Sequence, residues 1–307
     1  MVALDELKEF SLSEASVQLW VFKKSTRGGQ PVFTGRWVDT TDDLDAAMRQ
    51  AVANERARIT EVQEYGLLTQ ANEGSALSIG TVETHAGLVL DQANAAVDRK
   101  KVRDLKAIQN TEFYAIKLVV GDRALYAVRK ADASWRTKRR LQSISVYFSD
   151  HTLGLVTDPG FSISRNVDFF VVGDKILISS KPNFESVLGY KAAHVEDFKL
   201  LREESEFSSV FTSLEALLQH VGENKIQLRR ASAIRQKGHY KDPVFMANLR
   251  QNAALFGLSI TFDEEGKIIP TMENCQDIIQ ALLDHRLQSG FSRNIYDVQD
   301  TSNVNVT

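Results

Sequence analysis

The sequence predicts an α+β fold in which a mostly antiparallel β-sheet region comes first and a helix-rich region follows. Two patterns support this. Between residues 113 and 179, short apolar runs alternate with tight turns, which is typical of consecutive strands. After Pro182, apolar residues recur at helical spacing in one segment after another. We therefore predict a β-rich region over residues 1–181 and a helix-rich region with a small β-hairpin over residues 182–307.

Strands joined by tight turns make up most of the predicted sheet. Ser16–Lys24 alternates in the manner of a strand, and Pro31–Val38 returns after a glycine-rich turn. Phe113–Val120 and Arg123–Arg129 flank a Gly-Asp pair and predict a hairpin. The further predicted strands are Ile144–Phe148, Leu153–Val156, Ser162–Ile163, Val167–Val172 and Lys175–Ser179.

Capping residues mark the predicted helices. Thr40 and Thr41 precede acidic residues and predict a helix through about Ile59, because hydroxyl oxygens accept from the free amides of a first turn. A short charged helix is predicted over Asp98–Ile108, after short strands or loops over residues 65–97. The later predicted elements are helices over Asn183–Tyr190, His194–Glu206, Ser213–Val221, Lys225–Gln236, Asp242–Phe256 and Glu273–Leu287, and a hairpin of Leu258–Phe262 with Lys267–Pro270.

Composition excludes several classes of protein. The single cysteine, Cys275, cannot form an intrachain disulfide, and no cysteine-rich metal site is possible. The acidic N-terminal residues do not resemble a signal peptide, and no apolar run approaches the ~18–20 residues of a membrane span. We expect a cytoplasmic protein without a cofactor.

Charge is distributed unevenly along the chain. The net charge is −3, from 37 Lys and Arg against 40 Asp and Glu. Residues 1–98 have 8 basic and 15 acidic side chains (−7), residues 99–181 have 16 and 8 (+8), and residues 182–307 have 13 and 17 (−4). A basic middle block inside an acidic protein favours an anionic partner.

Two clusters of cations are the candidate binding residues. The first, the loop cluster, consists of Arg136, Lys138, Arg139 and Arg140. The second, the helix cluster, consists of Arg229, Arg230, Arg235 and Lys237. Both could neutralise phosphates of a nucleic-acid backbone, and Trp135 beside the loop cluster could stack on a base. The alternative is that these cations form an ordinary charged surface.

No catalytic or metal-binding residues are predicted. The six histidines lack the spacing of metal ligands. Asp168, Asp174 and Lys175 loosely resemble the carboxylate and lysine constellation of a metal-dependent nuclease. The Gly173-Asp174 pair is better explained as a tight turn, so nuclease activity is kept only as an alternative.

The stretch Phe161–Tyr190 resembles the shared domain of the KwaB family of bacterial Kiwa antiphage defence systems. Its pattern is a strand, Asp-Phe, a Gly-Asp turn, a second strand and Asn-Phe-Glu followed by a tyrosine. The segments 112–130 and 281–298 extend this resemblance, which spans roughly residues 15–298. These motifs are structural patterns, so no catalytic residues are carried over from the family.

The resemblance implies a DNA-binding effector that restrains phage replication and late transcription. It also implies a multi-pass membrane partner of the KwaA type, recruitment to the inner membrane through that partner, and a homo-oligomer. We therefore expect a non-enzymatic protein that contacts DNA through the loop and helix clusters. The alternatives are a metal-dependent nuclease and a scaffold or sensor of a defence complex that does not bind DNA.

Overall fold

The computed structural model of the chain describes residues 2–27, 30–135, 146–149, 152–155 and 160–298. It confirms the predicted α+β class. Two compact units are present. The first contains residues 1–64 and 71–189, and the second contains residues 65–70 and 190–307.

An eight-stranded sheet forms the first unit. Its strands are β1 (Ser16–Arg27), β2 (Gln30–Val38), β3 (Glu61–Glu64), β4 (Ser75–Gly80), β5 (Phe113–Val120), β6 (Arg123–Lys130), β9 (Phe169–Val172) and β10 (Lys175–Ile178). The strand order is β2-β1-β5-β6-β9-β10-β4-β3, so β2 and β3 are the edges. All neighbours pair antiparallel except β3 and β4. A separate hairpin joins β7 (Val146–Ser149) to β8 (Thr152–Leu155).

Helices cover the sheet of the first unit. They are α1 (Val2–Glu9), α2 (Asp42–Arg58), α3 (Ala86–Gln92), α4 (Leu105–Ile108) and α5 (Lys181–Leu188). The predicted start of α2 is confirmed, because the Thr41 side chain accepts from the Leu44 amide at its first turn. Helix α1 was not predicted. Tertiary contacts hold it, since Leu7 is fully buried and Arg56 donates to the carbonyl oxygens of Leu7 and Phe10.

The sheet buries apolar side chains on both of its faces. One face carries residues such as Leu19, Tyr114 and Leu125, which pack in one core with Met48 of α2. On the other face, Phe22 stacks on Phe113 with ring centroids 4.6 Å apart. This two-sided burial explains why six consecutive residues of β5 are buried without the alternation of a half-exposed strand.

The second unit is mostly helical. Its elements are α6 (Tyr190–Glu203), α7 (Ser205–Ser208), α8 (Glu215–Val221), α9 (Lys225–Lys237), α10 (Pro243–Asn252), α11 (Cys275–Leu282), β11 (Arg286–Gln288) and β12 (Ile295–Asp297). The predicted start of α9 is confirmed, because the Asn224 side chain accepts from two first-turn amides. The helix ends at Lys237, one residue beyond the predicted Gln236, where Gly238 takes the left-handed region at φ 66°. Apolar side chains of α8, α9 and α11 share one core.

Several predicted elements are wrong. Asp98–Ile108 is not one helix but a 3₁₀ turn over Asp98–Lys100 and the single turn α4. The strand at Ser162–Ile163 is not formed, and the hairpin after Leu258 is reduced to one bridge between Phe262 and Ile268. The last helix ends at Leu282, well before the predicted Leu287, because Asp284 takes a positive φ and the chain turns into β11.

Asp168 joins three elements of the first unit. Its side chain is 0% exposed and forms an ion pair with Arg129 of β6. Oδ1 also accepts from Asn183 Nδ2 of α5 at 2.9 Å, and Oδ2 accepts from the Lys130 amide at 2.7 Å. A buried carboxylate is stable only when it is paired and hydrogen-bonded in this way. Asp168 therefore holds β6, the start of β9 and α5 together, and its oxygens are engaged by the protein itself.

We expect Asp168→Asn to lower the free energy of unfolding by about 3 kcal/mol, because it leaves Arg129 without its buried partner. Urea denaturation followed by tryptophan fluorescence measures this change. Asp174→Asn, at an exposed turn position, is the matched control and should change stability by less than about 0.5 kcal/mol. Equal effects of the two substitutions would contradict the role of Asp168.

Candidate nucleic-acid interface

The loop cluster, Arg136, Lys138, Arg139 and Arg140, lies outside the described residues. Only the adjacent Trp135 is described. Its ring is fully buried, 5.3 Å from the ring of Tyr114, and its Nε1 donates to the Ser162 carbonyl oxygen at 2.9 Å. Trp135 is therefore a core residue and is not placed to stack on a base.

The helix cluster makes contacts within the second unit. Arg235 pairs with Asp197 at 3.0 Å and with Glu204 at 2.9 Å. Arg230 donates to Gln276 Oε1 at 3.1 Å, Lys237 donates to a carbonyl oxygen at the end of α11, and Arg229 is half-buried with a partner of its own. The charge of Arg235 is thus already compensated. DNA contact by this cluster stays a prediction.

Glu204 is the centre of a charged network beside the helix cluster. Its carboxylate accepts from Lys241 Nζ at 2.8 Å, from the Tyr240 hydroxyl at 2.6 Å and from Arg235. These hydrogen bonds, that of Lys241 first, lower the pKa of Glu204 to about 2. Burial and the hydrogen bond to Glu204 raise the pKa of Tyr240. The network joins the end of α6 to α9 and the turn that follows it.

A groove of about 560 Å³ lies in the first unit, beside the edge of the sheet. We call it the basic groove because of the side chains that line it. Six cationic side chains and two carboxylates line it, which leaves four positive charges in excess. The lining residues are Val21, Lys23, Thr34, Arg36, Asp98, Arg99, Lys101, Arg103, Asp104, Lys106 and Ala107.

Strand register positions the first wall of the basic groove. Val21 of β1 lies opposite Arg36 of β2, and Lys23 lies opposite Thr34. Residues two apart in a strand point to the same face, so all four side chains share that face. Lys23 and Arg36 are diagonal neighbours across the strand pair, a geometry that separates side chains by about 7–8 Å.

The second wall is the segment 97–107. It contributes the other four cations, Arg99, Lys101, Arg103 and Lys106. Arg103 pairs with Asp98 at 2.6 Å, and Lys101 pairs with Asp39. The Asp104 carboxylate accepts from the Ala107 amide at the start of α4. The nearby acids are thus engaged. Within the described part of the chain, Lys23, Arg36, Arg99 and Lys106 form no ion pair.

This arrangement suits phosphate groups. Clustered Lys and Arg side chains release counterions when they neutralise a nucleic-acid backbone. No aromatic ring is among the side chains that line the described groove. The sequence analysis did not predict this site, because it selected the densest run of cations along the chain. Two features of the sequence could have indicated the groove: the basic block from residue 99 onward, and the cations Lys23 and Arg36 in predicted strands.

The described residues give no sign of a metal centre. Among them, no three His, Cys, Asp or Glu side chains are grouped so that they could hold an ion. None of the helices found in those same residues has the length and apolar character that crossing a membrane requires.

Comparison with known families gives one match. Residues 108–291 match the family described as Kiwa protein KwaB-like, which is more than half of the 307-residue chain. Comparisons with curated proteins and with solved structures found no significant match. The matched range includes the hairpin of β5 and β6, Asp168 and the helix cluster. The basic groove precedes it, because its lining residues end at Ala107.

We expect Glu204→Gln to lower the free energy of unfolding by about 1–2 kcal/mol at neutral pH, because it removes the charge that three donors share. The pKa of Glu204 is lower in the folded chain than its ordinary 4.5, so this stabilisation is present above pH 4.5 and is lost as the pH falls towards 2. Urea denaturation of both proteins over a pH series measures the difference.

The exposed neighbour Glu203 provides the matched control for this pH series. Glu203→Gln makes the same chemical change outside the network and should leave stability within about 0.5 kcal/mol of the parent. A difference between parent and Glu204→Gln that stayed constant down to pH 2 would contradict the assigned cause.

Proposed function

We propose that this chain, which belongs to the Kiwa protein KwaB-like family and is thus a component of a Kiwa antiphage defence system, binds DNA and restrains phage replication and transcription. The single observation that supports DNA binding best is the basic groove. The inference that the groove binds DNA rests on its charge and geometry and not on the family match, because the groove residues precede the matched range.

The basic groove favours contact with the phosphate backbone. Its cations lie on one sheet face and on the adjoining segment 97–107. Neutralisation of phosphates by clustered cations does not depend on the base sequence and releases counterions, so binding through the groove should depend little on sequence and strongly on salt. The overall charge of −3 does not oppose this, because local charge governs the approach of a polyanion.

The predicted clusters are part of the same proposal. The loop cluster, Arg136, Lys138, Arg139 and Arg140, would add phosphate contacts in the first unit. In the helix cluster, Arg235 is compensated by two carboxylates and should add less than Arg229, Arg230 or Lys237. Variants of each cluster can be compared separately with variants of the basic groove.

The proposed setting follows from the family resemblance. We propose that the chain acts in the cytoplasm, is recruited to the inner membrane by a multi-pass partner of the KwaA type, and forms a homo-oligomer. Co-purification of the two proteins from membranes, with and without DNase, would separate a direct partner from one linked through DNA.

We expect the quadruple variant Lys23→Gln, Arg36→Gln, Arg99→Gln and Lys106→Gln to bind DNA more weakly at every sequence. The slope of log affinity against log salt should become shallower by up to about 3–4, which is about 0.9 for each phosphate that the variant no longer neutralises. Fluorescence anisotropy with labelled duplexes of unrelated sequence measures both quantities.

Four surface cations of the same unit give the matched control. Lys8→Gln, Arg123→Gln, Arg165→Gln and Lys175→Gln change the net charge by the same amount outside the basic groove. If both quadruple variants lost the same affinity, net charge rather than the groove would explain binding. If neither lost affinity, the groove would not be the DNA site.

We also propose that the protein is not a nuclease. Asp168, the residue that most resembles a nuclease carboxylate, is buried and engaged by Arg129 and Asn183. Supercoiled plasmid incubated with the purified chain and Mg²⁺ or Mn²⁺ should therefore stay intact. Nicked or linear product that disappears with Asp174→Asn, or with Asp168→Asn under conditions in which that variant stays folded, would instead establish the metal-dependent nuclease. A stable co-purifying complex without any DNA affinity would favour the scaffold or sensor.

A further inference from the structure

The two walls of the basic groove are held in different ways. Lys23 and Arg36 lie on strands whose pairing is continuous. The other four cations lie in the segment 97–107, whose regular structure is limited to the 3₁₀ turn Asp98–Lys100 and the single turn α4. A single helical turn is not stable alone. Contacts with the rest of the unit must therefore fix the positions of these four cations.

The segment 97–107 passes around the edge of the sheet at Trp37. Strand β2 is the edge, and the side chains of Arg36 and Trp37 point to opposite faces because they are consecutive in a strand. On the Trp37 face, the indole contacts Val97. On the groove face, Lys23 Nζ donates to the Lys106 carbonyl oxygen at 3.0 Å. The chain crosses the edge between these two contacts.

Trp37 supplies three contacts at this crossing. Its carbonyl oxygen accepts from the Val102 amide at 2.8 Å, and its Nε1 donates to the Val97 carbonyl oxygen at 2.9 Å. Lys101 Nζ lies 4.9 Å from the centroid of the indole ring, which is within the range of a cation–π contact. Val97 and Val102 flank the 3₁₀ turn, so one residue fixes both ends of the turn.

We propose that Trp37 is a positioning residue that holds segment 97–107, and with it Arg99, Arg103 and Lys106, against Lys23 and Arg36 of β1 and β2. This inference rests on the proposed function, in which the basic groove binds DNA phosphates. Trp37 does not line the groove and need not touch DNA. Without it, binding would have to order a loose segment, and this entropic cost would weaken affinity. Fewer cations would then act together, and the salt dependence would become shallower.

Two substitutions at Trp37 test this role. Trp37→Phe keeps an aromatic ring but removes the hydrogen bond to Val97, and it should weaken duplex binding about fivefold. Trp37→Ala also removes the ring under Lys101 and should weaken binding more than about tenfold. The salt slope should become shallower by about 0.9 for each phosphate that is no longer neutralised. Fluorescence anisotropy of the full chain with a labelled duplex over a KCl series measures these effects.

Ile176→Val is the control for general destabilisation. Ile176 is fully buried in β10, which lies five positions from β2 in the sheet order. The substitution removes one buried methyl group and has no contact with the groove. Its affinity and salt slope should equal those of the parent. A reduction in slope as large as that of Trp37→Phe would overturn the proposal, because instability alone would then explain the result.

Hydrogen exchange of the Val102 amide in the absence of DNA measures how firmly segment 97–107 is held against β2, because this amide donates to the Trp37 carbonyl oxygen. Trp37→Ala should speed this exchange, and unchanged exchange would overturn the proposal. Faster exchange with unchanged affinity would overturn the positioning role while leaving DNA binding by the basic groove intact. If the parent chain failed to bind DNA, the proposed function itself would fail, and the positioning role with it.

Discussion

The first unit depends on one buried carboxylate. Asp168 is inaccessible to solvent. Its carboxylate pairs with Arg129 and accepts hydrogen bonds from the Lys130 amide and from Asn183. Its backbone oxygen also accepts from the amide of Ser179, just after β10. A single residue thus ties β6, the start of β9 and α5 to one another. Removing this carboxylate alone would leave the buried groups that it pairs with, above all Arg129, without a partner.

Many cations of this chain stabilise the fold, so the formal charge of a segment overstates the charge that a ligand meets. Arg56 donates to the last carbonyl oxygens of α1, and Lys237 donates at the end of α11. Lys24 does the same for α5, and Lys117 donates to the Ala93 carbonyl oxygen after α3 at 2.9 Å. Positive charge is favourable at these helix ends. Burial lowers the pKa of Lys24 and that of Lys117, in keeping with their structural positions.

Local signals predicted much of the fold, whereas the candidate site depends on long-range geometry. The two Gly-Asp hairpins, the Thr41 cap and the Asn224 cap are encoded within a few residues, and the structure confirms each of them. The basic groove needs the register of β1 with β2 and a segment some sixty residues later that closes against it. The spacing of residues along the chain does not reveal that this segment packs beside the β1–β2 pair. The helix expected over Asp98–Ile108 failed for a related reason, because tertiary contacts at Trp37 set the path of that segment.

The path of segment 97–107 also bears on solubility. The outermost strand of a sheet presents unpaired backbone groups that invite pairing with another molecule. Here the Val102 amide donates a hydrogen bond to the Trp37 carbonyl oxygen, and Lys101 forms an isolated parallel β-bridge with Trp37. Pro31 further limits pairing at the opposite end of β2, since proline has no amide hydrogen to donate. Loosening segment 97–107 would expose the backbone of β2 at the edge of the sheet. Variants that loosen this segment should therefore aggregate more readily during expression.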